Sequence, residues 1–236
     1  AHRDISEHTA HELRTPLTSI QGTLSLVKAG IFGELNERGQ RMVGSSLENA
    51  ETLGLMVDEI LDLEKLSSGK LEVFVEQVNL NYLLKRTIDT TQSYSDKFSV
   101  KLSLEKPVPD LVILADPKRS VQVLTNLISN AVKFSPTGDM VRVEAKQTKD
   151  HVRVSVIDNG PGIPQDKHDL LFQKFSQIDA SDSRSNSGTG LGLAISRELM
   201  DSMKGRIGFT SKKGAGSTFW AEFRIDAEAQ AENIDK

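Results

Sequence analysis

Near the start of the chain, His11, Glu12 and Thr15 have the types and spacing for nucleophilic chemistry on nitrogen, within the run His11-Glu12-Leu13-Arg14-Thr15-Pro16-Leu17. On a helix turning about 100° per residue, Thr15 stands one turn above His11 at nearly the same azimuth, with Glu12 adjacent. A carboxylate beside an imidazole can take its proton and leave the other ring nitrogen a better nucleophile. Pro16 removes the backbone donor that would ordinarily meet the carbonyl of Glu12, so the helix is expected to be pliable there. A lone exposed histidine is more often a solvated surface residue, and this reading therefore rests on the company His11 keeps. His2 and His8 add no metal site, because no carboxylate-rich or thiolate shell accompanies them.

A second set of candidates lies far downstream. In Asn126-Leu127-Ile128-Ser129-Asn130-Ala131-Val132-Lys133-Phe134, the side chains of Asn126, Asn130 and Lys133 fall along one helix face at spacings of four and three. Amide oxygens can hold a hard cation such as Mg2+ beside phosphate oxygens, and a lysine balances phosphate charge. Taken alone, the same pattern is a polar stripe facing solvent.

Asp158-Asn159-Gly160-Pro161-Gly162-Ile163-Pro164 follows a β-rich run. An acid at a strand end can accept a hydrogen bond from an exocyclic amine, and glycines let the backbone approach a planar base. In isolation the segment is a good turn. Phe172-Gln173-Lys174-Phe175 reads by itself as packing. Gly188-Thr189-Gly190-Leu191-Gly192-Leu193 opens a helix whose first amides are free for phosphate, and the polar stretch from Ser176 to Ser187 has the composition of a mobile lid. The glycine spacing is not the dinucleotide fingerprint. Neither this segment nor Gly214-Ala215-Gly216-Ser217-Thr218 carries the lysine of a Walker A loop.

Two kinds of scaffold must position these groups. Leu13, Leu17, Ile20, Leu24, Val27 and Ile31 follow at steps of four and three, the seam of a helix packed on another helix. Its centre lies roughly 200° from His11, which is therefore expected to face solvent. Gly30 and Gly33 break this helix, Asn36 is the expected N-cap of the next, and a second seam runs through Val43, Leu47, Ala50, Leu53, Val57 and Ile60. One antiparallel hairpin cannot cover both seams, so a homodimer forming a four-helix bundle is expected.

The hairpin ends at Ser67, Ser68 and Gly69, with a hinge expected near Ser67 to Lys70, and Leu71 to Val75 turns to alternating, β-rich character. Helices are then expected at Leu80 to Tyr94, Pro117 to Phe134, Lys167 to Phe175 and Leu191 to Met203. Strands are expected at Val100 to Leu104, Leu111 to Ala115, Met140 to Gln147, His151 to Ile157, Arg206 to Ser211 and Thr218 to Ile225. This is an α plus α/β chain, the second domain a sheet with helices on one face. The domains read as 1–69 and 70–228, followed by a polar tail at 229–236.

A length of 236 residues favours two domains, and 37% hydrophobic with 26% charged residues excludes a fully disordered chain. A formal net charge of -4 supplies no basic excess for a phosphate backbone, so no nucleic-acid partner is expected. The absence of cysteine excludes disulfides, thiolate metal sites and cysteine nucleophiles. No apolar run reaches membrane-spanning length, and no signal-peptide pattern opens the chain. Because it begins at Ala1, almost inside its first motif, the chain is expected to be a fragment whose sensor region lies upstream.

In their order, these motifs resemble the H box, N box, G1 box, F box and G2 box of two-component sensor histidine kinases, over nearly the whole chain. The resemblance implies a dimerisation and phosphotransfer hairpin followed by a gyrase-type α/β sandwich that binds ATP. It implies that His11 is the phosphorylated residue, Glu12 its acid-base partner and Thr15 a contributor to phosphatase activity. Asn130 would hold Mg2+ with support from Asn126, Lys133 would meet phosphate, Phe134 would lie near the base and Asp158 would bind the adenine amine. Gly160, Gly162, Gly188, Gly190 and Gly192 would shape the pocket and lid, from which Arg184 would reach the phosphates.

The implied partners are a second copy and the receiver domain of a response regulator. The implied setting is a cytoplasmic domain of a bacterial protein, any membrane anchor lying outside these residues. Ala10 departs from the serine many members carry before the histidine, and the lead before His11 is short. An ATP-driven conformational machine on the same fold would lack the H box, and a nucleotide-bound scaffold would not need Asn130, Asp158 and the glycines together.

Overall fold

The computed structural model describes residues 5–176 and 189–229, with the side chains of all of these except residues 5–11 and Ser67. The chain divides into two compact units, Ala1–Leu71 and Glu72–Lys236. Among the described residues no helix is long and apolar enough to cross a membrane.

The first unit is a hairpin of α1 (Ile5–Lys28) and α2 (Glu37–Ser67). The side chain of Asn36 accepts the Gly39 amide at 2.8 Å and caps the start of α2, satisfying one of the donors every helix start leaves over. At the far end the Ser68 amide returns to Glu64, and Lys70 and Leu71 both donate to the Lys65 carbonyl, which stops the helix. Leu17, Leu47, Ala50 and Leu63 are buried between the helices. Gln21 reaches across to the Ala50 carbonyl at 3.0 Å, and Arg14 pairs with Asp58. Leu13 and Ile20 on α1, and Leu53 and Ile60 on α2, each pair seven residues apart, stay about half exposed in the single chain.

Among the described residues the second unit has seven strands: β1 (Glu76–Asn79), β2 (Lys101–Leu104), β3 (Val112–Ala115), β4 (Met140–Gln147), β5 (His151–Asp158), β6 (Arg206–Ser211) and β7 (Ser217–Ile225). They form one sheet in the order β1-β3-β7-β5-β4-β2, with β6 also beside β7. Every pair is antiparallel except β2 with β4. Val152, Val154 and Val156 alternate along β5, and Phe219, Ala221 and Phe223 along β7, to bury one face against helices α3 (Leu80–Lys97), α4 (Pro117–Phe134) and α5 (Gly192–Ser202). On the other face Arg153 lies 4.0 Å over the Trp220 ring and pairs with Glu222 at 2.7 Å, shielding β5 and β7 from solvent.

The element boundaries follow local chemistry where that chemistry is decisive. α3 begins where Asn79 accepts the Tyr82 amide, and α4 where Asp116 accepts the Arg119 amide ahead of Pro117. Two expectations need correction. The β-rich Leu71–Val75 is not a strand. Pairing of β1 with β3 stops at Glu76–Ala115 because β3 runs straight into α4, and the Phe74 amide is taken instead by the Asp116 carboxylate at 3.0 Å. The expected helix at Lys167–Phe175 is a 3-10 turn at Gln165–Leu170, closed by bonds such as Lys167 to Pro164 that span three residues.

Candidate functional site

α4 is amphipathic in a way that serves two layers at once. Val123, Leu124, Leu127, Ile128, Ala131 and Val132 are buried against the sheet, while Asn126, Asn130 and Lys133 lie half-buried along one flank. The Asn126 amide donates to the Ser196 hydroxyl at 2.9 Å, and Asn130 donates to Asn126 Oδ1 at 3.4 Å. Asn130 Oδ1 accepts no hydrogen bond among the described residues. Burial pulls the Lys133 amine below its ordinary range, and no carboxylate pairs with it among the described residues. Its Nζ sits 5.3 Å from the centre of the Phe134 ring, which is half exposed.

Asp158 ends β5 and is buried. Its Oδ1 accepts the Gly160 amide at 2.8 Å and the Ser217 amide at 3.1 Å, while its Oδ2 accepts no hydrogen bond among the described residues. Desolvation pushes the carboxyl above the usual carboxylate range. The two backbone amides oppose that rise, and the charge of Asp139 adds to it.

The loop after Asp158 is held by very close backbone approaches. A Cβ on Gly160 would lie 2.7 Å from the Phe134 carbonyl, so the loop rests on the end of α4. A Cβ on Gly162 would lie 2.0 Å from the Lys212 carbonyl, and one on Gly216 2.1 Å from the Asp158 carbonyl. The β6–β7 turn is thus clamped onto the Asp158 loop, with Gly214 donating to Pro161 and Ile163 donating to Ser211.

The third part is the start of α5. Leu191 precedes it without a side-chain cap, leaving the first-turn amides of α5 without that partner. A Cβ on Gly190 would meet the Phe175 and Ser176 backbone at 2.9 Å, and one on Gly192 would lie 2.5 Å from Asn126 Oδ1. These contacts bring the Asn126–Phe134 stretch together with the Asp158 loop at one end and with α5 at the other.

Glu12 and Thr15 are exposed on α1, within the first unit. The side chain of His11 lies outside the described residues, as do Arg184 and Gly188. Phe172 packs 6.1 Å from the ring of Phe209, in keeping with a packing role. Sequence reasoning missed Ser217, Gly216 and Ser196. The pair Gly214 and Gly216 ahead of a strand was a usable signal for a tight turn, but nothing local marked what the turn touches. Among the described residues no group of three or more His, Cys, Asp or Glu side chains could hold a metal ion, so a cation at this site would depend on amide and phosphate oxygens.

Comparison with known proteins gives this geometry its setting. Residues 115–227 match the model of the histidine kinase-, DNA gyrase B-, and HSP90-like ATPases, and residues 1–69 match the His Kinase A phospho-acceptor domain. The chain belongs to the histidine kinase family. It is 38% identical over 212 residues to the circadian input-output histidine kinase CikA of Synechococcus elongatus, covering 89% of this chain and 28% of that protein. It is 35% identical over 227 residues to the signal transduction histidine-protein kinase BarA of Escherichia coli, covering 92% of this chain and 24% of that one. The chain thus spans about a quarter of the length of these curated relatives. Among solved structures, full-length ShkA in complex with AMPPNP superposes with a TM-score of 0.75 at 30% identity, over 94% of this chain and 46% of ShkA.

Proposed function

We propose that this chain is the core of a sensor histidine kinase that moves the γ-phosphoryl group of ATP onto His11 and passes it to an aspartate of a response-regulator receiver domain. The observation that carries the reading is a pairing within one chain. A segment matching the phospho-acceptor domain contains His11 and Glu12, and an ATPase-type unit contains a buried Asp158 with one carboxylate oxygen uncommitted among the described residues.

Asp158 Oδ2 accepts the exocyclic amine of adenine, and the half-exposed Phe134 borders the base. The phosphates lie toward Asn130, Lys133 and the first amides of α5. Lys133 is suited to this because an amine without a carboxylate partner gains most from a phosphate. The Asn130 carbonyl oxygen, which accepts nothing among the described residues, fits a Mg2+ ion, with Asn126 supporting Asn130 through the hydrogen bond between their side chains, and such an ion would supply charge neutralisation on the phosphates. An imidazole nitrogen of His11 attacks the γ-phosphorus, ADP departs with the bond electrons, and the other ring nitrogen gives its proton to Glu12. Transfer to the receiver aspartate regenerates the free histidine, and Thr15 contributes to hydrolysis of the resulting acyl phosphate. His11 and the nucleotide meet through movement about Ser67–Lys70. The relatives named above are bacterial, which supports a bacterial source, and the ATP chemistry is placed by this reading on the cytoplasmic side.

Incubating the purified chain with Mg2+ and γ-labelled ATP should give protein-bound label that is lost in acid and kept in alkali. The label should be absent from a His11→Gln variant that still binds nucleotide. Label that survives acid, or no label from a chain that binds ATP, would overturn the reading.

The half-exposed Leu13, Ile20, Leu53 and Ile60 are covered by the hairpin of a second copy, because their seven-residue spacing matches a helix–helix seam. Leu53→Glu places a charge on that seam and should raise the dimer dissociation constant at least roughly thirtyfold. Sedimentation should then find the variant largely monomeric where the parent is dimeric, and an unchanged mass would refute the seam.

A further inference from the structure

Asn126 is enclosed in a way its place in a polar stripe did not foretell. On one side its Nδ2 donates to Ser196 Oγ at 2.9 Å, and on the other its Oδ1 accepts from Asn130 Nδ2 at 3.4 Å. Gly192, one turn before Ser196 on α5, faces the same amide. A Cβ there would lie 2.5 Å from Asn126 Oδ1, 3.0 Å from Cγ and 3.1 Å from Nδ2. Ser196 is 2% exposed, so water cannot readily replace its hydroxyl.

We infer that Ser196 and Gly192 are positioning residues that act through Asn126 to aim the carbonyl oxygen of Asn130 at a nucleotide-bound divalent cation. The inference rests on the metal role proposed for Asn130. An amide has two chemically distinct ends, and which end Asn130 presents outward is set by what meets its inner end. Asn126 Oδ1 engages Asn130 Nδ2, so the oxygen of Asn130 is the end left for a cation. Asn126 holds that orientation only while its own Nδ2 is satisfied by Ser196, because a half-buried amide stripped of its acceptor gains by turning toward whatever oxygen remains. Gly192 supplies the space. Its part in the glycine-rich segment is to admit the Asn126 side chain between α4 and α5, which differs from contacting phosphate.

The test is a pair of double-mutant cycles read by equilibrium binding of fluorescent ribose-labelled ATP, once with Mg2+ and once with EDTA. The ratio of the two affinities is the gain due to the cation. Ser196→Ala should cut that ratio roughly threefold to tenfold while the EDTA affinity stays within about twofold, the range expected for one lost hydrogen bond. In an Asn126→Ala background the same substitution should change nothing. Gly192→Ala should cut the ratio at least as much in the parent and, again, nothing after Asn126→Ala, whose smaller side chain vacates the space the new methyl needs. If either single variant fails to fold, the other cycle carries the test.

Equal losses in both backgrounds, or a ratio untouched by Ser196→Ala, would overturn the inference. A parent chain with no cation gain would overturn it together with the metal role of Asn130. A parent whose gain is lost in the variants as described, but which never labels on His11, supports the relay while sinking the kinase reading.

Discussion

Asp158→Asn is expected to weaken ATP binding roughly tenfold to a hundredfold, the scale of a charge-assisted hydrogen bond, without lowering the thermal stability of the unit Glu72–Lys236 at neutral pH. The two outcomes come from the two oxygens of one carboxylate. Oδ1 accepts the Gly160 and Ser217 amides, a task an asparagine oxygen also performs, so the loop keeps its anchor. Oδ2 is the atom proposed to accept the adenine amine, and an asparagine would present a donor there to another donor.

The stability arm follows from the direction of the Asp158 shift. Burial raises its pKa, so the folded chain binds the proton more tightly than the unfolded chain. The stability this group contributes is complete below the unfolded carboxylate pKa and is lost as pH rises through the raised folded value. Asparagine never ionises and so escapes that loss, which makes the variant equal or more stable at pH 7.5 and narrows the difference at pH 4. Guanine carries a carbonyl where adenine carries its amine, so the variant should also lose much of its preference for ATP over GTP. Calorimetric titration with both nucleotides and thermal melts at the two pH values check this. Unchanged ATP affinity, or a melt at pH 7.5 well below that of the parent, would contradict the assignment of Asp158 to the base.

What could be read in advance was whatever local chemistry decides. The span Pro117–Phe134 was legible at both ends because Asp116 and Pro117 start a helix, and Ser135 followed by Pro136 stops one, without reference to anything distant. The hairpin was legible from its seams, and Asn36 from its place ahead of the second helix. The β-rich character read at Leu71–Val75 did not become a strand, because β character is local while pairing is not. Val75 has no partner once β3 has turned into α4. The same reasoning separates the site residues. Asn126, Asn130 and Lys133 were visible as a periodic stripe and Asp158 as an acid at a strand end. Ser196 was not, since a serine between Ile195 and Arg197 carries no periodic signal and its meaning lies in Asn126, seventy residues earlier in the chain. The clamp between Gly216 and Asp158 was equally silent, being a contact between backbones that no side-chain pattern encodes.

That clamp predicts a large stability effect from a single methyl group, and the β6–β7 turn contains its own control. Gly214 and Gly216 both have left-handed backbone, with φ of 80° and 74°, so an alanine at either pays a similar strain of about 1 kcal/mol. Their surroundings differ completely. A Cβ on Gly214 meets nothing within 4 Å, whereas one on Gly216 would lie 2.1 Å from the Asp158 carbonyl and 3.0 Å from Asn159 Cα. Relieving such overlap against main chain costs a further ~1–3 kcal/mol, because no flexible side chain is there to yield.

At roughly 2–4 °C per kcal/mol for a unit of this size, Gly214→Ala should lower the melting temperature by about 3 °C and Gly216→Ala by about 10 °C. The displaced atom belongs to Asp158, so Gly216→Ala should also weaken ATP binding about tenfold or more at temperatures where it remains folded, while Gly214→Ala leaves binding within about twofold. Comparable melting shifts in the two variants would mean that φ strain governs the turn. A large melting shift with intact ATP affinity would mean that the clamp holds the fold but not the carboxylate. Only the paired loss ties the turn to Asp158, making the second glycine of the turn part of the nucleotide site through backbone alone.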